Sequence, residues 1–220
     1  MLAAFHVWLH RYSGEMDLVV GTPVTNRLRP EIEPLVGFFL NTLPIRLKFD
    51  GNPDFRQVLG RVREPLLRAF SHADLPFEQI VEVAGTSRDA GHQPIDQVMF
   101  VLLEEGLSNC QLDQAKAWLL PVTTGTSKND LTLSIEAVGD TWVCHFEYAL
   151  DLFTADTAAR MARHFAELLC SIVESPGLSI SNLNLMPAAE RHQIMVEWNQ
   201  TQRDYPRDKC VHQLLSLIHI

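Results

Sequence analysis

The order of apolar and polar positions divides the chain into alternating helical and extended stretches. Over residues 2–12, Leu2, Phe5, Leu9 and Tyr12 recur at helical spacing, and Ser13-Gly14 ends the pattern. DLVVGTPV (17–24) reads as a buried strand, NRLRPEIEP as a charged loop, and 38–48 as a second strand. After the turn FDGNPD, Asn52 and Pro53 have the chemistry of a helix cap and a first helical position. The helix they would start carries Phe55, Val58, Leu59, Val62, Leu66 and Leu67 on one side, with Arg56, Arg61 and Arg63 elsewhere. Pro65 predicts a kink in it.

Farther along, HADLPFEQIVEVAG predicts a turn and a short helix starting near Pro76, and QVMFVLLE (97–104) a strand. DLTLSIEAV and TWVCHFEYA alternate with period two and are joined by Gly139-Asp140, a hairpin signal. Residues 154–175 form an amphipathic helical pattern capped by Thr154 or Asp156, and 187–198 a shorter one. From Asn199 the chain becomes polar and linker-like. The fold class is α/β with a mixed sheet. One stretch resists the pattern: VGFFLNTLPIR (36–46) sets Asn41 and Thr42 inside an apolar run. A buried amide must find partners there or cost about 1–3 kcal/mol.

Composition narrows the function. The net charge of −9 argues against nucleic acid, since phosphate binding needs clustered Lys and Arg. No apolar run approaches a membrane span of about 20 residues, and MLAAFHVWLHRY lacks the basic start of a signal peptide. The expected compartment is the cytoplasm. Cys110, Cys144, Cys170 and Cys210 are too far apart for a zinc pattern and read as reduced core thiols. The first helix has no capping residue before it, and LLSLIHI at the other end is an apolar stub, so a fragment is expected.

Candidate chemistry is sparse. GxSxG is absent, and TGTSK (124–128) lacks the order of a phosphate loop. His92 and Asp96 match HxxxD, the spacing in which an acyltransferase holds a general-base histidine. Nine histidines make a chance match common, and Pro94 sits inside this one. His72 and Asp74 read better as a turn, with Asp74 bonding nearby backbone N–H groups, than as a dyad. Arg27, Arg29 and Arg46 could clamp a phosphate or pair with carboxylates.

Four ordered stretches resemble the condensation domains of non-ribosomal peptide synthetases. VVGTPVTNR is similar to the strand and loop before the family's G-x-F-x-N-T motif. The motif itself is matched by Gly37, Phe39, Asn41 and Thr42, with Arg46 after it. HADLPFE resembles H-Q-D-x-P-F-E at His72, Asp74, Pro76, Phe77 and Glu78, with Ala73 in place of Gln. SRDAGHQPIDQVMF resembles the R-D-x-S-x-x-P-x-F-Q-V-x-F element through Arg88, Asp89, Pro94, Gln97, Val98 and Phe100. In that alignment His92 and Asp96 fall outside the family's catalytic element.

The resemblance implies a chloramphenicol-acetyltransferase-like lobe, a mixed β-sheet flanked by helices, one of two lobes that meet around a tunnel. It implies peptide-bond formation between carrier-protein-tethered thioesters, with phosphopantetheine arms as substrates and no cofactor bound directly. The family's HHxxxDG motif belongs to the N-terminal lobe and has no match in this sequence. The expectation is therefore a C-terminal lobe over 1–185, a helix and linker toward an adenylation domain over 186–215, and a foreign tail over 216–220. Expected partners are carrier proteins, the N-terminal lobe and the adenylation domain. Gly37, Asn41, Thr42, Arg46 and Arg27 are the candidate tunnel or motif residues, Arg27 as an ion-pair partner of the other lobe. His72, Asp74, Pro76, Phe77, Glu78, Arg88 and Asp89 are candidate structural motif residues. An epimerisation or cyclisation domain, or a non-catalytic recruitment module on the same fold, is the alternative.

Overall fold

The computed structural model describes residues 1–27, 29–84, 95, 97–103, 111, 112, 115, 116, 122 and 124–216. The chain forms two units, Met1–Leu185 and Met186–Ile220. The first begins with helix α1 (Leu2–Ser13), strand β1 (Asp17–Val24) and strand β2 (Asn41–Lys48). Helices α2 (Phe55–Ser71) and α3 (Phe77–Ala84) lead to β3 (Val98–Leu103). A two-stranded ribbon, β4 (Gln111–Leu112) and β5 (Ala115–Lys116), precedes the hairpin β6 (Leu131–Val138) and β7 (Thr141–Tyr148). Helix α4 (Ala155–Glu174) follows.

Five strands form one sheet in the order β2-β1-β3-β6-β7. The outer pairs, β1 with β2 and β6 with β7, are antiparallel, whereas β3 runs parallel to both β1 and β6. The sheet is therefore mixed, as the alternation of patterns predicts. Leu131, Leu133 and Ile135 bury one face of β6, and Leu43, Ile45 and Leu47 one face of β2. Gly139, at φ 58, turns the β6–β7 hairpin as expected.

Helix α1 departs from the predicted amphipathic stripe. Every residue from Leu2 to Trp8 is buried, while Tyr12 is exposed. A helix apolar all round belongs in the interior, and α1 packs on β1, α2 and α4. Phe5 and Trp8 stack on each other, and both meet Phe165 edge-on. Edge-to-face pairs of this kind add to the burial of aromatic area.

Helix α2 starts two residues later than predicted. Asp54 is its cap, accepting from the Gln57 N–H at 2.8 Å, while the Gln57 side chain accepts from the Asp54 N–H. Asn52 is otherwise engaged: its amide donates to Ser181 Oγ at 2.7 Å and accepts from the Ser181 N–H. The helix then runs unbroken through Pro65. Strand β2 is shorter than the predicted 38–48, because β1 ends at Val24, which registers with Asn41. Among the described residues, 36–40 thus have no strand to pair with, and Val36 and Phe38 stand in solvent.

Cys144, Cys170 and Cys210 are free and exposed, not core thiols as expected. Cys144 lies on the edge strand β7, and Cys170 on the outer side of α4. The second unit holds α5 (Ala188–Met195), a 3₁₀ turn (Glu197–Asn199) and α6 (Val211–Ser216), a helix that the linker reading did not include. Among the described residues no helix is long and apolar enough to cross a membrane.

Candidate functional site

Asn41 opens β2 and resolves the anomaly in the apolar run. Its Nδ2 donates to the carbonyl oxygens of Ala73 and Leu75, each at 2.8 Å. Its Oδ1 accepts from the Phe77 N–H at 3.2 Å. One side chain thus meets three backbone groups of the HADLPFE turn, close to all that an amide can satisfy. The Phe77 N–H opens α3, where backbone donors have no partner within the helix. Asn41 caps that end from a distance, taking the part that the sequence suggested for Asp74. Asp74 and Glu78 are exposed, and Phe77 is half-buried. Within the turn, the Leu75 N–H donates to the His72 carbonyl, and the Pro76 carbonyl accepts from Gln79.

Arg46 projects from the exposed side of β2. Its Nε and one terminal nitrogen donate to the two carboxylate oxygens of Asp17 at 2.8 and 2.7 Å, with Lys48 3.5 Å from the same carboxylate. Asp17 registers with Lys48 across the strands, so Arg46 reaches it diagonally. The hydrogen bonds from Arg46, reinforced by the charges of Arg46 and Lys48, hold the Asp17 carboxyl down at about 2. The same pairing raises the Arg46 guanidinium.

Arg27 gathers its own loop. One terminal nitrogen donates to the carbonyls of Ile32, Glu33 and Leu35 at 2.5–3.0 Å, and the guanidinium lies 4.4 Å from the centre of the Phe39 ring. Gly37 makes room for that stack: a Cβ there would stand 3.0 Å from the Phe39 ring. Asn26, at φ 48, bends the chain into the loop. Arg29 lies exposed on the turn beside it, and Thr42 is half-buried opposite Pro23. Arg88, Asp89, His92 and Asp96 lie outside the described residues.

The fold brings Arg46 and His72 to one groove of about 480 Å³ between β2 and the end of α2, completed by Pro44, Lys48, Pro65, Arg68 and Ala69. Its lining combines the Arg46, Lys48 and Arg68 cations, the His72 imidazole and apolar groups, with no acid, thiol or hydroxyl, so His72 has no nucleophile beside it and the groove offers binding surface. Among the described residues no group of three His, Cys, Asp or Glu could hold a metal ion.

Sequence reasoning missed His6. Its ring is buried, with Nδ1 3.0 Å from the Leu2 carbonyl and Nε2 3.3 Å from the Ile45 carbonyl. Both neighbours are acceptors, and a neutral imidazole has one N–H to give. Burial nonetheless depresses its pKa, outweighing both carbonyls. A histidine inside the apolar stretch LAAFHVWL was the available signal.

The model of the condensation domain family matches residues 1–195. A linear gramicidin synthase of Brevibacillus parabrevis is 44% identical over 212 residues, which is 94% of this chain and 3% of that protein. A four-domain nonribosomal peptide synthetase, solved with AMP and glycine, superposes with a TM-score of 0.77 at 26% identity, over 86% of this chain and 16% of its own. The X-domain from teicoplanin biosynthesis, solved in complex with OxyB, gives 0.72 at 30% identity over 84% of this chain and 42% of its own. The chain therefore spans a small part of the synthetase it matches, with the motif turns and mixed sheet expected of a chloramphenicol-acetyltransferase-like lobe. It belongs to the condensation domains of non-ribosomal peptide synthetases.

Proposed function

We propose that residues 1–185 are the C-terminal lobe of a condensation domain and supply one wall of the tunnel in which two carrier-tethered thioesters meet. In that reaction the amine of the acceptor aminoacyl thioester attacks the donor carbonyl. A C–N bond forms, the C–S bond breaks, and the donor's phosphopantetheine arm leaves as a free thiol. The observation that carries the reading is coverage: 84% of this chain superposes on 42% of the X-domain chain, while the sequence contains no HHxxxDG.

The lobe's own residues would act by shape and position. Asn41 fixes the HADLPFE turn against β2, and Arg27 with Phe39 fixes the loop that leads into β2. Leu35, Val36, Phe38 and Leu40 are all exposed on that loop. Such an apolar run suits a surface that another lobe covers. Residues 186–215 would continue toward an adenylation domain.

The test supplies the 220-residue chain with two loaded carrier proteins and follows dipeptide by mass spectrometry. No dipeptide is expected from the chain alone, and dipeptide is expected once an HHxxxDG-containing lobe is joined ahead of it. Product from the chain alone would overturn the half-site reading. A recruitment role is the second reading, favoured by the X-domain's being solved as a complex with another protein. Failure of the joined protein to form product while it still binds a carrier protein would select it. Epimerisation or cyclisation product from the joined protein would assign it to those sibling domains.

A further inference from the structure

The outward face of α2 carries a glycine that neither packing nor backbone geometry explains. Gly60 lies mid-helix, where glycine is the least favourable residue after proline. A Cβ added there meets no atom within 4 Å, and Gly60 is not among the glycines with positive φ. Val58 and Val62 are buried on the opposite side. Around Gly60 lies a groove of about 390 Å³ lined by Arg63, Glu64, Leu67, Arg68 and Ser71. Arg68 also lines the larger groove beside β2.

Charge and apolar area concentrate on the same face. Helix α2 has four arginines and one acidic residue, in a chain whose net charge is −9. Arg61 is engaged with the Asp50 carbonyl and Arg68 lies 3.7 Å from Glu64, and among the described residues no ion pair involves Arg63. Leu59, Leu67 and Phe70 are about half exposed. At 100° per residue, Leu67 falls beside Gly60, with Phe70 and Leu59 on one flank and Arg68 on the other.

We propose that this face docks an amphipathic helix of a partner protein, one whose apolar stripe is flanked by carboxylates. The partner's backbone approaches most closely over Gly60, as small residues allow at helix contacts. Leu67 and Phe70 receive its apolar side chains, and Arg63 and Arg68 pair with its carboxylates. The inference stands on the surface of α2 and does not rest on the condensation reading.

The test titrates the 220-residue chain into a fluorescein-labelled synthetic helix of about five turns, with a leucine stripe flanked by glutamates, and reads anisotropy. Saturable binding is expected, weaker by about tenfold or more in Gly60→Trp and in the pair Arg63→Gln with Arg68→Gln. Circular dichroism should show each variant folded. Gly60→Ala is expected to raise the melting temperature yet weaken binding, a split that a purely structural glycine would not give. Three results would overturn the proposal: unchanged binding by Gly60→Trp, equal binding of a lysine-for-glutamate peptide, or a single-stranded RNA of similar length binding more tightly. Dimerisation of the free chain that Gly60→Trp abolishes would also overturn it, since the occupant would then be a second copy.

Discussion

At the scale of single residues, one amide connects the motif segments. Replacing Asn41 by Ala would strand the Phe77 N–H and free the carbonyls of Ala73 and Leu75. A loss of about 1–3 kcal/mol in urea denaturation is expected. Asn41→Asp should be no better, because a carboxylate would face two carbonyl acceptors. That Asn41 needed partners was legible from VGFFLNTLPIR; which partners was not, because they are backbone atoms far along the chain. Arg27 and Arg46 were legible as cations, but their partners likewise depend on loop and strand register. Two titrating residues both lose their contribution on acidification, in separate pH windows. Asp17 has a folded pKa below its ordinary 3.8, so its contribution is complete above that value and is lost as pH falls toward 2. The melting-temperature gap between wild type and Arg46→Ala should therefore close over that window. His6, depressed below 6.5 by burial, favours the folded state above 6.5 and loses that contribution as pH drops below it. His6→Gln keeps a donor without titrating, and its melting temperature should vary less between about pH 7 and about pH 5.

At the scale of elements, periodicity located the five strands of the main sheet and helices α1 to α5 but not the β4–β5 ribbon or α6, and capping chemistry placed the ends less well. Of the two caps the sequence offered for α4, Thr154 and Asp156, Thr154 is the one used, accepting from the Thr157 N–H. Asn52 does not cap α2, because Ser181, far along the chain, claims its amide. Residue preference cannot see such a competitor. The capping box at Asp54 predicts that Asp54→Ala costs about 0.5–2 kcal/mol, whereas Asn52→Ala should act through the 179–181 segment and leave α2 helicity intact. Hydrogen exchange along the first turn of α2 separates the two. The buried run of α1 and the late start of β2 share another cause. Burial on all sides, and the absence of a neighbouring strand among the described residues, are properties of the assembled sheet and are not written in local spacing.

At the scale of the whole chain, the resemblance carried the family assignment and the chloramphenicol-acetyltransferase-like fold, while the pattern of apolar and polar positions reached only an α/β domain with a mixed sheet. Composition could not locate the apolar surface on residues 35–40. Val36 has its full side-chain surface in water, at 104% relative exposure, and Phe38 has 87%. The next residue, Phe39, is instead held by Arg27 and belongs to the loop's own structure. The two neighbouring aromatics should therefore respond differently to mutation. Val36→Ser with Phe38→Ser removes apolar surface that folding does not bury, so stability should stay within about 0.5 kcal/mol of wild type. The same pair should reduce concentration-dependent self-association in size-exclusion chromatography, because contiguous exposed apolar area drives it. Phe39→Ser should do the reverse, loosening the loop around Arg27 without improving solubility. When an HHxxxDG-containing lobe is joined to the chain, the Val36 and Phe38 pair should weaken the association of the two lobes. If the pair left that association unchanged, the run would be surface that no lobe covers.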